Sequence, residues 1–455
     1  MEYMFKQPII GEPLPRFNDW DRQLLEFNFW RNSFAGGPRY VHALDSRGKL
    51  VLTKHPREKD EGYEFRINNA ILFNYVKPII NRYNDLVFST TPERSSLDPR
   101  LDAFYEDVDD YDTHMDQIAE KALKCAQIDG KSFLMLDSNY ADAGTISQLE
   151  AERLGIRKIL RLVKASSVPY FASAGNGVIK QAYVVLYDDE PFALQVNDVA
   201  WRRISIEDPQ QMIVREIGEW IIHNYVGCPL VMVRPDEDTS QASGISEIQK
   251  HVFNLNSLLT EELFGSTFTQ WIATGASPGD LKFVEKGVNR LIVVDKQGVQ
   301  FQTLGSDASQ ATSIRESIKE TIQELYRTAG LTAGNALDTS TPMSGVALQF
   351  LQNQMTTAAS ALARSIEFAE NKIVKLLDPE ADNKVKYNKD FNPIDENAEI
   401  DKTIKVIESS MPAVIKKEIV KRFSETMNIN DSGIEEIVDE QIKRTNPESA
   451  ESINE

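Results

Sequence analysis

From residue 345 to residue 377 the chain repeats apolar side chains at helical spacing, with no proline in between. Steps of three or four residues put them on one face of a single helix: Leu351, Met355, Ala358, Leu362, Ile366, Ala369, Ile373 and Leu376. Pro379 would end this helix, which at 1.5 Å per residue is about 48 Å long. An apolar stripe of that length needs packing partners along its whole course, which strongly limits the folds available to the chain.

Two shorter periodic segments precede the long helix and enclose an insert. The first predicted helix begins at Gly244 and carries Ile245, Ile248, Val252, Leu255, Leu259 and Leu263. The second is stopped by Gly330 and carries Ile314, Ile318, Ile322, Leu325 and Ala329. The insert has strand-like runs at 290–294 and 299–301. A nearly uncharged loop at 331–342 follows the second helix. This order predicts a structural component more than an enzyme.

Ahead of residue 244 the pattern predicts a body of helices and strands, an α+β class. Residues 1–59 contain aromatic residues among prolines and charges, and we interpret them as an arm that docks on its own domain or a neighbour: Trp20, Phe27, Phe29 and Trp30. Helices are predicted over 61–87, with a kink at Pro78, and over 101–128, with the acidic run 106–112 at its start. Strands are predicted over 132–137, 178–187, 193–199 and 211–226. Ser246 and Gln249 have the spacing of a capping box for the helix near 244.

The order of elements resembles the portal protein of tailed bacteriophages. Four further stretches resemble parts of that family: Tyr63–Ala70 with Asn81–Phe88, Asp129–Leu136, Ser344–Leu348 and Lys389–Asn392. The resemblance implies a portal fold with an α/β wing, a two-helix stem, a small β-containing clip and a helical crown. Its implied divisions are an arm at 1–60, wing at 61–243, stem helices at 244–270 and 309–330, clip at 271–308, tunnel loop at 331–345, long wing helix at 346–378, and crown with C-terminal tail at 379–455.

The same resemblance implies a function and a set of partners. Portal subunits form a closed ring, with twelve copies expected, at one capsid vertex, and double-stranded DNA passes through it non-specifically during packaging and ejection. The implied partners are the terminase packaging motor, a neck adaptor, and the major capsid and scaffold proteins. No cofactor is implied, and the expected location is the virion, after assembly in the host cytoplasm.

Charge and composition fit that expectation. The formal net charge is −19, and no Lys/Arg-rich block stands out as a nucleic-acid-gripping face. A passage lined with cations would retain DNA through salt-dependent phosphate contacts, so an acidic chain suits sliding. Two cysteines argue against a disulfide scaffold, and neither a signal peptide nor a membrane-spanning window is recognised.

Three sets of residues are candidates for function. The tunnel loop offers uncharged hydrogen-bonding groups and one carboxylate to passing phosphates: Asn335, Asp338, Thr339, Ser340 and Thr341. Cations of the clip are candidates for contact with the motor, the adaptor or DNA, although solvated strand-edge charges explain them equally well: Lys282, Lys286, Arg290 and Lys296. Apolar stem residues are expected to pack between subunits: Val252, Leu255, Leu259, Ile314, Ile318, Ile322 and Leu325.

Catalytic and metal motifs are weak in this sequence. Asp129-Gly-Lys-Ser132 lacks the earlier glycine of a phosphate-binding loop, and a helix precedes it where a strand is required. The acidic run 106–112 lacks the glycine position of a calcium loop, and the five histidines and two cysteines show no metal-ligand spacing. The sequence therefore predicts no catalytic or metal site. Another head or neck protein, such as a scaffold or adaptor, is the main alternative, and a nucleotide hydrolase is the second.

Overall fold

The computed structural model describes most of the chain up to residue 391. Its first compact unit spans Met1–Phe391, and of the second, Asn392–Glu455, only Lys405 is described. The described residues are 6–95, 99–138, 153–174, 178–187, 190–208, 210–235, 239–267, 270–274, 281–286, 289–294, 298, 300–304, 308–331, 345–380, 384–391 and 405. Most of the predicted helical crown and tail, 379–455, therefore lies outside the described residues, and beyond residue 391 Lys405 alone is described.

The N-terminal residues form part of the body of the protein. Helix α1, Trp20–Ala35, buries Trp20, Phe27 and Phe29, and it contacts helix α5, Met115–Asp129. Of the two dockings expected for this stretch, on its own domain or on a neighbour, the structure shows the first, since the aromatic residues belong to the core of the same chain. The reason is their spacing, since Trp20 and Phe27 are seven residues apart and share one helical face.

The predicted kinked helix over 61–87 is two separate helices. Helix α2 spans Asp60–Asn69 and helix α3 spans Val76–Val87, with an extended connection between them. Pro78 lies in the first turn of α3, where its missing N–H costs no internal hydrogen bond. The proline therefore begins a helix instead of bending one.

The predicted helix over 101–128 is also divided. Helix α4, Pro99–Glu106, and α5 are separated by the acidic run, in which Asp110 and Asp112 have positive φ values of 70° and 59°. Arg157 pairs with two carboxylates of this run, those of Asp107 and Asp110. The acidic residues thus form a loop held by a distant arginine and do not complement a helix dipole.

Strands form two main sheets, and each described strand pairing is antiparallel. The first sheet has the order β10–β2–β3, from Leu230–Val233, Ser132–Ser138 and Lys158–Lys164. The second has the order β4–β5–β6–β7–β8 with β9 also on β7, from Tyr170–Ser173, Ile179–Tyr187, Pro191–Asn197, Ala200–Ile206, Val214–Ile217 and Ile221–Ile222. The predicted strand over 211–226 is thus two short strands. The backbone at Gly218 lies against Arg203, where an added Cβ would meet the Arg203 carbonyl oxygen at 2.9 Å.

Strand β2 is buried on both faces and separates two cores. Its alternate residues Leu134 and Leu136 pack with the helices, while Phe133 and Met135 pack with β5 and β6 of the second sheet. Successive side chains of a strand point to opposite faces, so one strand supplies both layers. The predicted α+β class is confirmed at the level of mixed helices and antiparallel sheets.

The three helices predicted from periodicity are present. Helix α6 spans Gln241–Thr267, α7 spans Ala308–Thr328, and α8 spans Gly345–Leu377, the bounds expected for the long helix. The insert between α6 and α7 holds two antiparallel pairs, β11 with β14, Gln270–Thr274 and Gln300–Leu304, and β12 with β13, Leu281–Lys286 and Asn289–Val294. Two short strands, β1, Glu93–Ser95, and β15, Lys384–Lys386, also pair.

A buried ionic cluster fixes α8 to the rest of the unit. Glu370 of α8 is 1% exposed, receives two hydrogen bonds from Arg94 at 3.2 Å, and accepts another from the Tyr387 hydroxyl. Arg94 also pairs with Asp116 of α5 at 2.7 Å. Burial raises the pKa of Glu370, whereas the adjacent guanidinium opposes that rise. We infer that the pair is ionised, because Arg94 cannot lose its proton and needs a counter-charge.

Removing one member of this cluster should be far more harmful than removing both. Arg94→Met leaves Glu370 buried and uncompensated, so we expect the free energy of unfolding to fall by about 3 kcal/mol or more. Arg94→Met combined with Glu370→Met should recover much of that loss, and urea denaturation measures both. The matched control is Arg327→Met, which breaks an exposed ion pair with Glu324 and should change nothing measurable. A double variant as unstable as Arg94→Met would contradict the ionic account.

Candidate functional site

The paired helices α6 and α7 change from buried to exposed along their length. In the first half of α6, Ala242, Ile245, Val252 and Phe253 are at most 2% exposed. Towards its end, Leu258, Leu263 and Phe264 are 38–46% exposed. Helix α7 runs the other way, since its buried residues Ile322 and Leu325 lie towards its end and the buried Ala329 follows it directly. One end of the pair is therefore core, and the end that carries the insert is open surface.

This burial corrects part of the predicted packing between subunits. Val252, Ile322 and Leu325 are 1%, 9% and 0% exposed within the single chain, so they supply no surface for a neighbour. The reason is that α6 and α7 pack on each other and bury their own stripes. Four other members of the set are half-buried, and their contact with a neighbour stays a prediction: Leu255, Leu259, Ile314 and Ile318.

Gln249 joins three segments at the buried end of α6. Its side-chain oxygen accepts hydrogen bonds from the backbone N–H groups of Tyr75 and Val76, at 2.7 and 3.0 Å. Its amide nitrogen donates to the Ser33 carbonyl oxygen at 3.0 Å. Gln249 is fully buried and caps the beginning of α3 while holding the end of α1. The predicted capping box is wrong, because α6 begins at Gln241 and both Ser246 and Gln249 lie inside it.

A second polar group ties the middle of α6 to residues 51–66. Arg66 of α2 is 2% exposed, donates to the Ser257 hydroxyl at 2.9 and 3.1 Å, and pairs with Glu58. Asn254 accepts from the Thr53 N–H at 2.8 Å and donates to the Val51 carbonyl at 2.9 Å. These bonds leave few polar atoms of α6 unsatisfied on this side, so the helix is held in one orientation.

The end of α7 is fixed by one tyrosine. The Tyr83 hydroxyl of α3 donates to the Ala329 carbonyl at 2.7 Å, and an added Cβ at Gly330 would meet that hydroxyl at 3.2 Å. Gly330 has φ +68°, the left-handed conformation that ends a helix and favours glycine. The chain thus leaves α7 at a defined point before residues 332–344.

Most of the other predicted site residues lie outside the described residues. The tunnel-loop residues Asn335, Asp338, Thr339, Ser340 and Thr341 and the clip residue Lys296 are outside the described residues. Lys282 and Lys286 belong to β12, and Arg290 belongs to β13, opposite Glu285 in the backbone register. The strands therefore bring these three cations into one strand pair, in the middle of the chain segment that α6 and α7 enclose.

A cleft of about 860 Å³ lies elsewhere, between α4, β2, β3 and residues 222–225. Lys158 stands beside it, 5.2 Å from the ring centre of Tyr225, and donates to the Leu377 carbonyl at 3.3 Å. Burial lowers the pKa of Lys158. A cation at the last carbonyl of α8 is a favourable helix-end contact, so we interpret Lys158 as structural.

Within the described ranges, no group of three or more His, Cys, Asp or Glu side chains is arranged to hold a metal ion. No helix in this part of the chain combines the length and apolar character needed to cross a membrane.

Comparison with known proteins gives limited similarity. No family model matches the sequence, and no curated protein matches it either. A chain from the neck of an empty GTA particle, computed with C6 symmetry, aligns at TM-score 0.42 and 11% identity over 76% of this chain and 90% of that chain. A chain from the neck of a native GTA particle, computed with C12 symmetry, aligns at TM-score 0.38 and 11% identity over 88% and 92%. Neither alignment establishes a common fold at these values.

Loss of the Gln249 amide should loosen α1, α3 and α6 together. Gln249→Leu leaves two buried N–H groups and one buried carbonyl without partners, so we expect the free energy of unfolding to fall by about 2–3 kcal/mol. Gln323→Leu, on the exposed face of α7, is the control and should stay within about 0.5 kcal/mol of the parent. Equal effects of the two substitutions in urea denaturation would contradict the assigned role.

Proposed function

We propose that this chain is a portal-type subunit of a phage-like particle. Copies of it would close into a ring through which double-stranded DNA passes during packaging and ejection. The proposal rests on one arrangement: two paired helices enclose two small antiparallel strand pairs and are followed by a single 33-residue helix. In a portal these elements are the stem, the clip and the long wing helix.

The burial of the paired helices supports this assignment. The end of α6 and α7 that joins the body is core, and the end that joins the insert exposes leucine and phenylalanine side chains. Exposed apolar side chains grouped on one element are typical of an interaction surface. A ring of subunits would cover that surface with the neighbouring copy through a head-to-tail contact that closes on itself.

The net charge of the chain favours a channel through which DNA slides over a surface that binds DNA tightly. The formal net charge of −19 makes the chain as a whole repel phosphate. We propose that the tunnel loop, 331–345, meets the DNA through the uncharged groups of Asn335, Thr339, Ser340 and Thr341, while the Asp338 carboxylate adds mild repulsion. We also propose that the cations of the β12–β13 hairpin meet an external partner, the packaging motor first and a neck adaptor later.

The proposed subunit is not an enzyme, and the energy for DNA movement would come from a separate motor. Capsid and scaffold proteins would be further partners at the capsid vertex where the ring sits. A scaffold or adaptor protein is the competing proposal, and ring architecture separates it from a portal. An assay of ATP hydrolysis would distinguish a nucleotide hydrolase from a portal subunit.

The purified chain should assemble into rings with a central hole wide enough for a DNA duplex. Native mass spectrometry should show one closed stoichiometry, and negative-stain images down the axis should show the hole. ATP hydrolysis by the same preparation should not exceed that of a blank. A chain that stays monomeric at high concentration would overturn the proposal, and so would ring particles without a passage.

A further inference from the structure

Helix α7 carries charges of opposite sign on two different edges. Arg315 and Lys319 are four residues apart and lie on one edge, which we call the basic edge. Glu320 and Glu324 have the same spacing and lie on another, the acidic edge. All four side chains are exposed. At 3.6 residues per turn the centres of the two edges are about 140° apart around the helix. Neither edge coincides with the face of Ile322 and Leu325, which packs on the chain itself.

The acidic edge forms one wall of a shallow groove. Helix α6 supplies the other wall with Glu247, Ile248 and His251, while α7 supplies Glu320, Thr321 and Glu324. Three carboxylates therefore line one groove, and neither Arg315 nor Lys319 lies in it. The two edges thus lie on different sides of α7, and among the described residues no ion pair joins them within one copy.

Among the described residues, carboxylates of the acidic groove accept hydrogen bonds from the same chain, whereas the basic edge has no ion-pair partner there. Glu324 accepts a hydrogen bond from Arg327 at 2.8 Å, and Glu247 accepts one from Ser46 at 2.6 Å. Among the described residues, no carboxylate lies within ion-pair distance of Arg315 or Lys319. Within the described part of the chain, these two exposed cations, spaced one helical turn apart like the two glutamates, therefore have no carboxylate partner.

We propose that the acidic groove of each copy receives the basic edge of α7 from the next copy. This inference rests on the proposed ring and names the contact that sets its register. In a closed ring of about twelve copies, the directions to the two neighbours differ by about 150°. For an α7 that runs parallel to the ring axis, the angle of about 140° between the edges is close to that value, so that one edge can face each neighbour. A second copy is preferred to a different basic partner because the matching cations are on the same helix, at the same spacing.

Such a contact controls specificity and salt response more than raw affinity. Exposed ion pairs are weak singly and are screened by salt, whose Debye length is about 10 Å at 0.1 M and about 3 Å at 1 M. Like charges placed against each other oppose wrong registers. Rings should therefore form more readily at low salt, and charge reversal of one edge should prevent closure.

Two complementary variants test the contact directly. The cationic variant, Glu320→Lys with Glu324→Lys, has two positive edges, and the anionic variant, Arg315→Glu with Lys319→Glu, has two negative edges. Each alone should lose the ring species in native mass spectrometry, because identical copies then repel. An equimolar mixture should recover rings of alternating copies with an even subunit number. The four substitutions in one chain merely exchange the edges and should also restore rings.

The control is Glu216→Lys with Glu219→Lys, an equal charge change at exposed positions on and just after β8, which should leave rings intact. Thermal unfolding of each variant as a monomer identifies any loss of folding. Rings of the parent chain with rings of both single-edge variants would overturn this inference alone, and so would failure of the mixture to assemble. Absence of rings from the parent chain would overturn the proposed function itself.

Discussion

The packing of α6 is the constraint on which the rest of this structure depends. That helix contacts α1, α2, α3, α5 and α7, so it joins the N-terminal residues to the body and the body to the insert. Its buried polar side chain, Gln249, replaces the water that the ends of α1 and α3 would otherwise need. Because such a group is costly to leave unpaired, α6 has one orientation in which all three segments are satisfied. The direction in which α6 leaves the body towards Thr267 follows from that orientation.

The long helix shows what a strong local pattern can predict. Its period predicts residues 345–377, and the helix has those bounds because Ile366, Ala369 and Ile373 are all buried on one face. An apolar stripe repeated this often fits only one rotational orientation of the helix against the core. Helix α1 shows the opposite case. Its aromatic residues are mixed with charged ones, so the apolar stripe is short, and the sequence does not decide between docking on its own domain and docking on a neighbour.

The errors in the body have a common cause in contacts between distant residues. The acidic run after α4 is a loop because Arg157, about fifty positions later, pairs with its carboxylates. Gln249 has the spacing of a cap for its own helix, but its partners belong to α1 and α3. Apolar spacing also predicted that Ile322 and Leu325 are available to a neighbour, whereas α6 covers them. Periodicity indicates which face is apolar and carries no information about what covers it. The spacing of the sequence indicates where the charges of α7 lie around the helix. Which of these charges line the groove depends on the position of α6, and the spacing does not give that position.

Buried polar anchors hold the end of α7 and the body of α8 in place. Tyr83 holds the carbonyl of Ala329 at the end of α7, and Glu370 holds α8 through Arg94 to β1 and α5. Moving α8 as a rigid body would break a buried ion pair, which costs several kcal/mol. Moving the end of α7 would leave the Tyr83 hydroxyl and a buried carbonyl without partners. Both helices are therefore firmly attached to the same unit, and a ring built from such subunits would have a rigid frame.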